Sequence, residues 1–184
     1  MKDTNRQYDE AVKSCRDIFI KKTRDYGTSW RVLRTISIAD QLYIKARRIR
    51  TLQESSEQKV VGEDKAGEFR AMVNYGVIGL IQLSLGASAP EELVEAEAGR
   101  HYDEKMAEAR AVMLDKNHDY GEAWREMSQE SFADLILMKI LRIRQIVAND
   151  GKTLISEGID SNFIDIINYS LFALILITEG KHTS

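Results

Sequence analysis

Proline, cysteine and metal-ligand spacings are scarce in this chain of 184 residues, and each scarcity excludes a kind of protein. One proline and eleven glycines leave few helix breakers, so long helices are favoured over sheets. The single cysteine, Cys15, excludes an internal disulfide and is typical of a reducing cytoplasm. Its position on an apolar helical stripe indicates core packing. The three histidines lack metal-ligand spacing, so we expect no zinc site.

Positive charge and long apolar runs are also lacking. With a formal net charge of −3, the chain has no basic excess for a nonspecific nucleic-acid face, so we expect no such binding. The most apolar stretch, 163–177, is interrupted by Asp165 and is too short and too polar to span a membrane. The polar start of the chain carries no secretory signal. Together these absences predict a soluble cytoplasmic protein that does not enter a membrane.

The chain consists of one unit written twice. When the sequence is shifted by 94 residues, 8–86 lies over 102–180 without a gap, and 24 of the 79 aligned pairs are identical. The identical pairs cluster in two Asp-Tyr-Gly segments, two tryptophans, two Lys-x-x-Arg-Ile segments and two Asn-Tyr pairs. We therefore predict a first repeat over 1–88 and a second over 89–184, the second preceded by a linker helix from about residue 90.

Each repeat is predicted to contain three helices. Apolar residues three and four positions apart form a stripe at the start of each repeat. Gly27 and Gly121 are placed to end these first helices, because glycine adopts the left-handed conformation of a C-cap without strain. Ser37 and Ser131 are each followed by an acid three residues later, a pattern that predicts the start of a second helix.

The third helices, roughly 67–86 and 161–179, are apolar on nearly every side and should be the central helices. Asp165 and Asn168 interrupt the later one and share a patch of its surface. Both need partners if buried, which favours the second repeat as the more active one. The predicted fold class is all-α, with two tandem copies of a three-helix unit packed as one helical bundle with pseudo-twofold symmetry.

Two lysines stand in the middle of apolar helical faces. Lys45 in the first repeat and Lys139 in the second each have apolar residues three and four positions away. A lysine in that position must extend to solvent or meet a buried anion. We expect each to be largely buried against a carboxylate from the end of a first helix or from a third helix. The candidate acids are Asp25, Asp119, Glu68 and Asp165.

The polar and aromatic residues shared by the repeats admit two interpretations. One is a structural network of buried ion pairs and capped carbonyls. The other is an anion pocket, in which Lys22, Lys45 and Arg48 contact phosphate oxygens while Tyr26 or Trp30 stacks on a base. The candidate nucleotide-binding or phosphate-binding residues are Lys22, Asp25, Tyr26, Trp30, Lys45, Arg48, Asn74, Lys116, Asp119, Tyr120, Trp124, Lys139, Arg142, Asp165 and Asn168.

The pattern Lys-x-x-Asp-Tyr-Gly-x-x-Trp, then Lys-x-x-Arg-Ile, then Asn-Tyr, occurs in both repeats. It resembles a tandem bacterial and phage family, formerly a domain of unknown function, that is called nucleotide modification associated domain 1. The resemblance covers 8–86 and 102–180, almost the whole chain. Because the family is associated with base-modification systems, the resemblance implies a role in nucleotide metabolism or base modification.

More distantly, the layout is similar to the all-α nucleoside triphosphate pyrophosphohydrolases of the MazG and dimeric dUTPase type. Those enzymes hold Mg²⁺ through a Glu-Glu-x-x-Glu helix and a Glu-x-x-Asp helix. In place of the first motif, this chain has Lys-Ala-Arg-Arg at 45–48 and Lys-Ile-Leu-Arg at 139–142, so the charge is inverted. The second motif keeps only Glu68 in one repeat and Asp165 in the other. A Mg²⁺ site would have to pool these two acids, since the ion needs several oxygen ligands.

Three functions stay open at this point. The sequence favours a protein that binds a nucleotide or a similar phosphorylated small molecule. The alternatives are a MazG-like nucleoside triphosphate pyrophosphohydrolase and a non-catalytic structural or partner-binding helical module. A cavity lined by basic and aromatic side chains would favour the first function, converging carboxylates the second, and a fully packed junction the third. A homodimer is compatible with all three.

Overall fold

The computed structural model describes residues 3–55 and 64–184, and these residues form helices and connecting segments without a strand. Two short 3₁₀ turns, Ser29–Val32 and Ala123–Glu126, follow the first helix of each repeat. The α-helices are α1 (Thr4–Tyr26), α2 (Thr35–Glu54), α3 (Lys65–Leu85), α4 (Glu95–Tyr120), α5 (Gln129–Ala148) and α6 (Ile159–Thr178). The all-α prediction is confirmed.

The helices form two sets of three, in which α1, α2 and α3 correspond to α4, α5 and α6. At the centre of the bundle α3 and α6 pack along each other, while α2 packs on α3 and α5 packs on α6. The helices α2 and α5 also contact each other, and α1 and α4 each contact both central helices. Most residues of α3 and α6 are buried. The prediction that these two helices form the centre is therefore confirmed.

Two glycines of α3 allow the central helices to approach closely. A Cβ at Gly76 would lie 2.7 Å from Cγ1 of Ile167, and a Cβ at Gly79 would lie 2.6 Å from the ring of Phe163. Both distances are far inside van der Waals contact, so a side chain at either position would push the helices apart. The buried residues of both repeats form one continuous core across this contact.

The helix α6 is long and apolar enough to cross a membrane by length and composition. Inside the bundle, 78% of its most apolar stretch is buried against other helices. Burial on almost every side is the pattern of a core helix.

Two helix starts differ from the sequence prediction. The helices α2 and α5 begin at Thr35 and Gln129, two residues before Ser37 and Ser131. In the second repeat the cap is Ser128, whose hydroxyl accepts a hydrogen bond from the N–H of Ser131 at 3.1 Å. The capping-box prediction is therefore wrong, because Ser131 lies inside the first turn that an earlier serine caps.

The linker helix begins at Glu95 rather than near Pro90. The guanidinium of Arg31 donates to the carbonyl oxygens of Gly86 at 3.1 Å, Ala89 at 3.0 Å and Pro90 at 3.0 Å. Carbonyls that converge on one side chain cannot line up along a helix axis. The stretch before Glu95 therefore wraps around Arg31, and α4 then continues unbroken into the second repeat.

Two matched polar ties join the repeats in the core. The hydroxyl of Tyr8 donates to Oδ1 of Asn168 at 2.7 Å, and its counterpart Tyr102 donates to Oδ1 of Asn74 at 2.8 Å. Each asparagine amide then donates to a carbonyl in the first helix of its own repeat, at 3.0 Å and 3.1 Å. Both asparagines were candidate nucleotide contacts by sequence, yet their amides are engaged inside the protein, as the structural-network interpretation expects.

The buried tyrosines predict a sensitivity to alkali. Burial raises the pKa of Tyr8 and of Tyr102 above the ordinary value for tyrosine, which is about 10. Above about pH 10 the unfolded chain releases protons that the folded chain keeps, so the free energy of unfolding falls as the pH rises. We expect denaturant titrations to show this fall. Tyrosinate absorbance should show that at least two of the seven tyrosines ionise only on unfolding. Titration of all seven in the folded protein would contradict the burial.

Candidate functional site

A cavity of about 390 Å³ lies in the first repeat between α1, the Ser29–Val32 turn, α2 and α3. Its volume is in the range of small-molecule sites. The charged side chains that line it are Lys22, Lys45, Glu68 and Arg70, and the aromatic ones are Phe19, Tyr26, Trp30 and Tyr75. We call it the first-repeat cavity. Basic and aromatic side chains therefore meet in a space that the protein leaves open.

Two buried polar atoms, both in side chains of residues that line this cavity, have no hydrogen-bond partner among the described residues. They are the indole Nε1 of Trp30, a donor, and Oε2 of Glu68, an acceptor. Trp30 is 9% exposed and Glu68 is 2% exposed. A buried polar atom without a partner costs about 1–3 kcal/mol, so native proteins seldom keep one without a reason. The N–H of Trp30 is therefore available to a bound molecule, whereas Oε2 of Glu68 already has the ammonium of Lys45 3.6 Å away.

Glu68 is held by two cations of its own repeat. Its Oε1 accepts a hydrogen bond from Arg48 Nη1 at 2.6 Å, and Nζ of Lys45 lies 3.6 Å from its Oε2. The side chain of Lys45 is 26% exposed. The prediction that this lysine meets a carboxylate is therefore confirmed, and of the two predicted sources the acid comes from the third helix. Asp25, the other candidate partner in this repeat, is exposed and lies outside the cavity lining.

The remaining cations of the cavity are not neutralised in this way. Lys22 and Arg70 line it, and neither forms a salt bridge within residues 3–55 and 64–184. The cavity thus holds three cations and one acid, and that acid is shared with Arg48. An excess of positive charge beside aromatic rings attracts anionic, ring-bearing ligands.

The corresponding space in the second repeat is filled by the protein's own side chains. One carboxylate oxygen of Asp165 accepts a hydrogen bond from Lys116 at 2.7 Å, and the other lies 2.8 Å from Lys139 Nζ. The ring of Phe172 stacks on Trp124 with centroids 4.2 Å apart and planes 4° apart. The lysine prediction is confirmed here too, since Lys139 is 11% exposed and pairs with the third-helix acid.

Asp165 also changes the titration of its neighbours. Burial lowers the pKa of Lys116, but the hydrogen bond and the charge of Asp165 raise it by more, so the pKa lies above its ordinary value. Burial, and then the charge of Asp165, raise the pKa of Tyr169. The second repeat therefore satisfies its buried charges internally, and this weakens the expectation that it is the more active repeat.

The two tryptophans differ at their N–H groups. Trp124 donates to Oδ1 of Asn117 at 3.1 Å. The residue at that position in the first repeat is Thr23, whose hydroxyl donates to the carbonyl of Phe19 at 2.9 Å. The change from asparagine to threonine removes the acceptor that would satisfy Trp30. The two repeats therefore differ in whether the tryptophan N–H has a hydrogen-bond partner: Trp124 has one, and Trp30 has none within the described residues.

This difference predicts unequal costs for two matched substitutions. Trp124→Phe leaves Oδ1 of Asn117 without its donor, whereas Trp30→Phe removes a donor that has no partner in the protein. We expect Trp124→Phe to lower the free energy of unfolding by about 1–3 kcal/mol more than Trp30→Phe does. Urea titrations of the two single variants measure this difference. Equal costs, or a greater cost for Trp30→Phe, would contradict the hydrogen-bond assignment.

Four of the predicted residues lie outside both spaces. Asp25, Asp119, Tyr120 and Arg142 are exposed. Asp119 contacts the neighbouring His118 at 3.1 Å on the surface, and Tyr120 is 72% exposed. The structure does not bring them into the first-repeat cavity or to Asp165.

Arg70 and Tyr75 are two of the lining residues that the sequence did not identify as site residues. Arg70 corresponds to Ile164 in the second repeat, so the comparison of repeats gave no signal for it. Tyr75 corresponds to Tyr169 and directly follows Asn74, so its identity in both repeats was a signal that could have been used. Both lie on the face of α3 that closes the cavity.

The acids do not converge on a metal site. Within residues 3–55 and 64–184, no group of three or more His, Cys, Asp or Glu side chains is placed to hold a metal ion. Glu68 and Asp165, which a pooled Mg²⁺ site would need, are each neutralised by two cations of their own repeat. Their charges are balanced without a metal.

A protein-family model described as nucleotide modification associated domain 1 matches two stretches of the chain, 22–83 and 116–177. Together they cover more than half of the chain, and they are offset by the same 94 residues as the repeats. The first stretch contains Lys22, Trp30, Lys45 and Glu68. No curated protein and no solved structure matches.

Proposed function

Because this chain belongs to the nucleotide modification associated domain 1 family, we propose that its first-repeat cavity binds a nucleotide or a similar phosphorylated small molecule. The name of the family associates the chain with nucleotide modification. The name does not say that the family binds nucleotides, so binding at this cavity is our own proposal.

The observation that carries the proposal is a cavity with excess positive charge and aromatic lining, next to a buried Trp30 N–H that has no hydrogen-bond partner within the described residues. The N–H of Trp30, which lies in the plane of its ring, can donate to a hydroxyl or phosphate oxygen of the ligand, and the Glu68 carboxylate can accept from a hydroxyl or an amino group beside its contact with Lys45. Lys22 and Arg70 can meet phosphate oxygens. A nucleotide carries all of these groups in one molecule, and its base can also pack on Tyr75.

The alternatives are less well supported by the same geometry. A pyrophosphohydrolase of the MazG type needs carboxylates free to hold Mg²⁺, whereas Glu68 and Asp165 are each committed to two cations. A purely structural module should be packed without open space. In the second repeat the space around Asp165 and Trp124 is occupied by paired side chains, whereas its counterpart in the first repeat is a 390 Å³ cavity. A separate cavity of about 650 Å³ in the second repeat is lined by Arg142, Asn162 and the segment between α5 and α6.

A thermal-shift panel tests the proposal directly. Nucleoside monophosphates, diphosphates and triphosphates of all common bases are added with and without Mg²⁺, beside the matching nucleosides and inorganic phosphate. A ligand that binds only the folded state at 100 times its Kd adds about 2.7 kcal/mol of stability, or roughly 5–10 °C in Tm for a chain of this size. We expect at least one nucleotide to reach such a shift while its nucleoside does not. No shift with any nucleotide would contradict the proposal.

A further inference from the structure

The first-repeat cavity and the filled space of the second repeat are built from corresponding residues, 94 positions apart. At two of these corresponding positions the side chains differ in size and charge. Ala71 and Ile78 line the cavity of the first repeat, whereas Asp165 and Phe172 stand at the same positions in the second. At these two positions the second repeat has a carboxylate and a ring where the first repeat has an alanine and an isoleucine. The first repeat carries its own acid one helical turn earlier, at Glu68, where the second repeat has Asn162.

The added carboxylate lies between two lysines. The oxygens of Asp165 are 2.7 Å from Lys116 Nζ and 2.8 Å from Lys139 Nζ. The corresponding lysines, Lys22 and Lys45, both line the first-repeat cavity together with Ala71, which has no carboxylate to pair with them. One acid of the second repeat, Asp165, thus pairs with both lysines. In the first repeat Lys45 pairs with Glu68, and Lys22 has no salt bridge within the described residues.

The added ring lies on a tryptophan. Phe172 and Trp124 are parallel within 4° at a centroid distance of 4.2 Å, the geometry of stacked rings. Trp30 has only tilted Phe19, 6.2 Å away, as an aromatic neighbour within the described part of the chain. Ile78, in place of the phenylalanine, lines the cavity beside it. The first repeat therefore offers a tryptophan without its stacked ring.

We infer that the second repeat carries its own substitute for the ligand of the first repeat. The Asp165 carboxylate marks where the phosphate of the ligand lies, between Lys22 and Lys45. The Phe172 ring marks where the base lies, against the face of Trp30. This rests on the proposed function and narrows it, because one compact anion and one ring describe a nucleoside monophosphate, bound once per chain.

The first test asks whether the lysine pair of the second repeat accepts a free anion once Asp165 is removed. In Asp165→Ala, inorganic phosphate should raise the Tm by about 3–5 °C more than it does in the wild type. Chloride at equal ionic strength should not do so, and Asp134→Ala, which removes an exposed acid, should respond like the wild type. Equal phosphate shifts in Asp165→Ala and the wild type would overturn the inference.

The second test moves the anion into the first repeat and does not depend on Asp165→Ala folding. Ala71→Asp is compared with Ala71→Asn, which has nearly the same shape without the charge. The acid should sit between Lys22 and Lys45 as Asp165 does in the second repeat. We expect Ala71→Asp to have the higher Tm, by about 2–4 °C. Equal stability of the two variants would overturn the inference.

Ligand titrations separate this inference from the proposed function. The probes are the adenosine, guanosine, cytidine, uridine and thymidine monophosphates and the matching triphosphates. We expect a monophosphate to bind the wild type with one site per chain and at least as tightly as its triphosphate. Ala71→Asp should weaken that binding more than about tenfold. If nucleotides bind but only as triphosphates, or if Ala71→Asp binds normally, the inference fails and the proposed function stands. If no nucleotide binds, the proposed function fails.

Discussion

Replacing Arg31 by leucine should lower the free energy of unfolding by about 3–5 kcal/mol. Arg31 is 8% exposed and donates to the carbonyls of Gly86, Ala89 and Pro90, and to the side chain of Gln82. Hydrogen bonds from a charged donor each contribute about 1.5–3 kcal/mol, and solvent can restore part of them at the linker. Because these contacts hold the linker between the repeats, their loss should also loosen the docking of α4.

Arg34→Leu is the matched control for this prediction. Arg34 is exposed and lies just before α2, so its replacement should change stability by no more than about 0.5 kcal/mol. Urea or guanidinium titrations of both variants give the comparison. A cost below about 1 kcal/mol for Arg31→Leu would show that the linker does not depend on this guanidinium.

Replacing Lys22 by methionine should weaken nucleotide binding by about 1.5–3 kcal/mol, which is roughly 10-fold to 150-fold in Kd. Lys22 lines the first-repeat cavity and has no salt bridge within the described residues. Its ammonium group is therefore available to pair with an anionic group of the ligand. Its removal takes away a charge that Lys45 and Arg70 repel, so stability should stay the same or rise slightly. Isothermal titration calorimetry and a urea titration measure both effects.

Lys21→Met is the control for Lys22→Met. Lys21 directly precedes Lys22 in α1, and both residues are exposed, but Lys21 does not line the cavity. The two variants change the net charge of the protein equally, so long-range electrostatics affect both. Equal loss of binding in both variants would mean that only the overall charge matters. Loss of stability in Lys22→Met would mean that this lysine has a structural partner.

The sequence predicted the fold well because the fold is repeated. Two copies of one pattern, each with an apolar third helix, can bury those helices only against each other and the flanking helices. The same reasoning predicted a carboxylate partner for Lys45 and Lys139, since a lysine inside an apolar stripe must find an anion. It left open whether that acid came from the end of a first helix or from a third helix, and the structure shows the third-helix acids. The start of α4 was not predictable from local pattern, because Arg31 binds carbonyls more than fifty positions away.

The choice between the repeats could not be made from the sequence alone. Asp165 looked like a sign of activity, since an acid on an apolar helix suggests a working group. In the structure it is the group that closes the second repeat, because Lys116 and Lys139 both reach it. The alanine at the matching position of the first repeat looked unremarkable by pattern. Only the positions of the surrounding helices show that Ala71 leaves a cavity.

The central claim is that the first repeat, and not the second, binds a nucleotide. The chain has two tryptophans, one in each repeat, so two single-tryptophan variants report the repeats separately. In Trp124→Phe the emission comes from Trp30, and in Trp30→Phe it comes from Trp124.

Titration of both variants with the nucleotide that gives the largest thermal shift, with emission corrected for absorption by the base, is the most direct test. We predict a saturable change in the emission of Trp30, with one site per chain, and no change in the emission of Trp124. A saturable change reported by Trp124, or constant emission from Trp30 while calorimetry shows binding, would contradict the account.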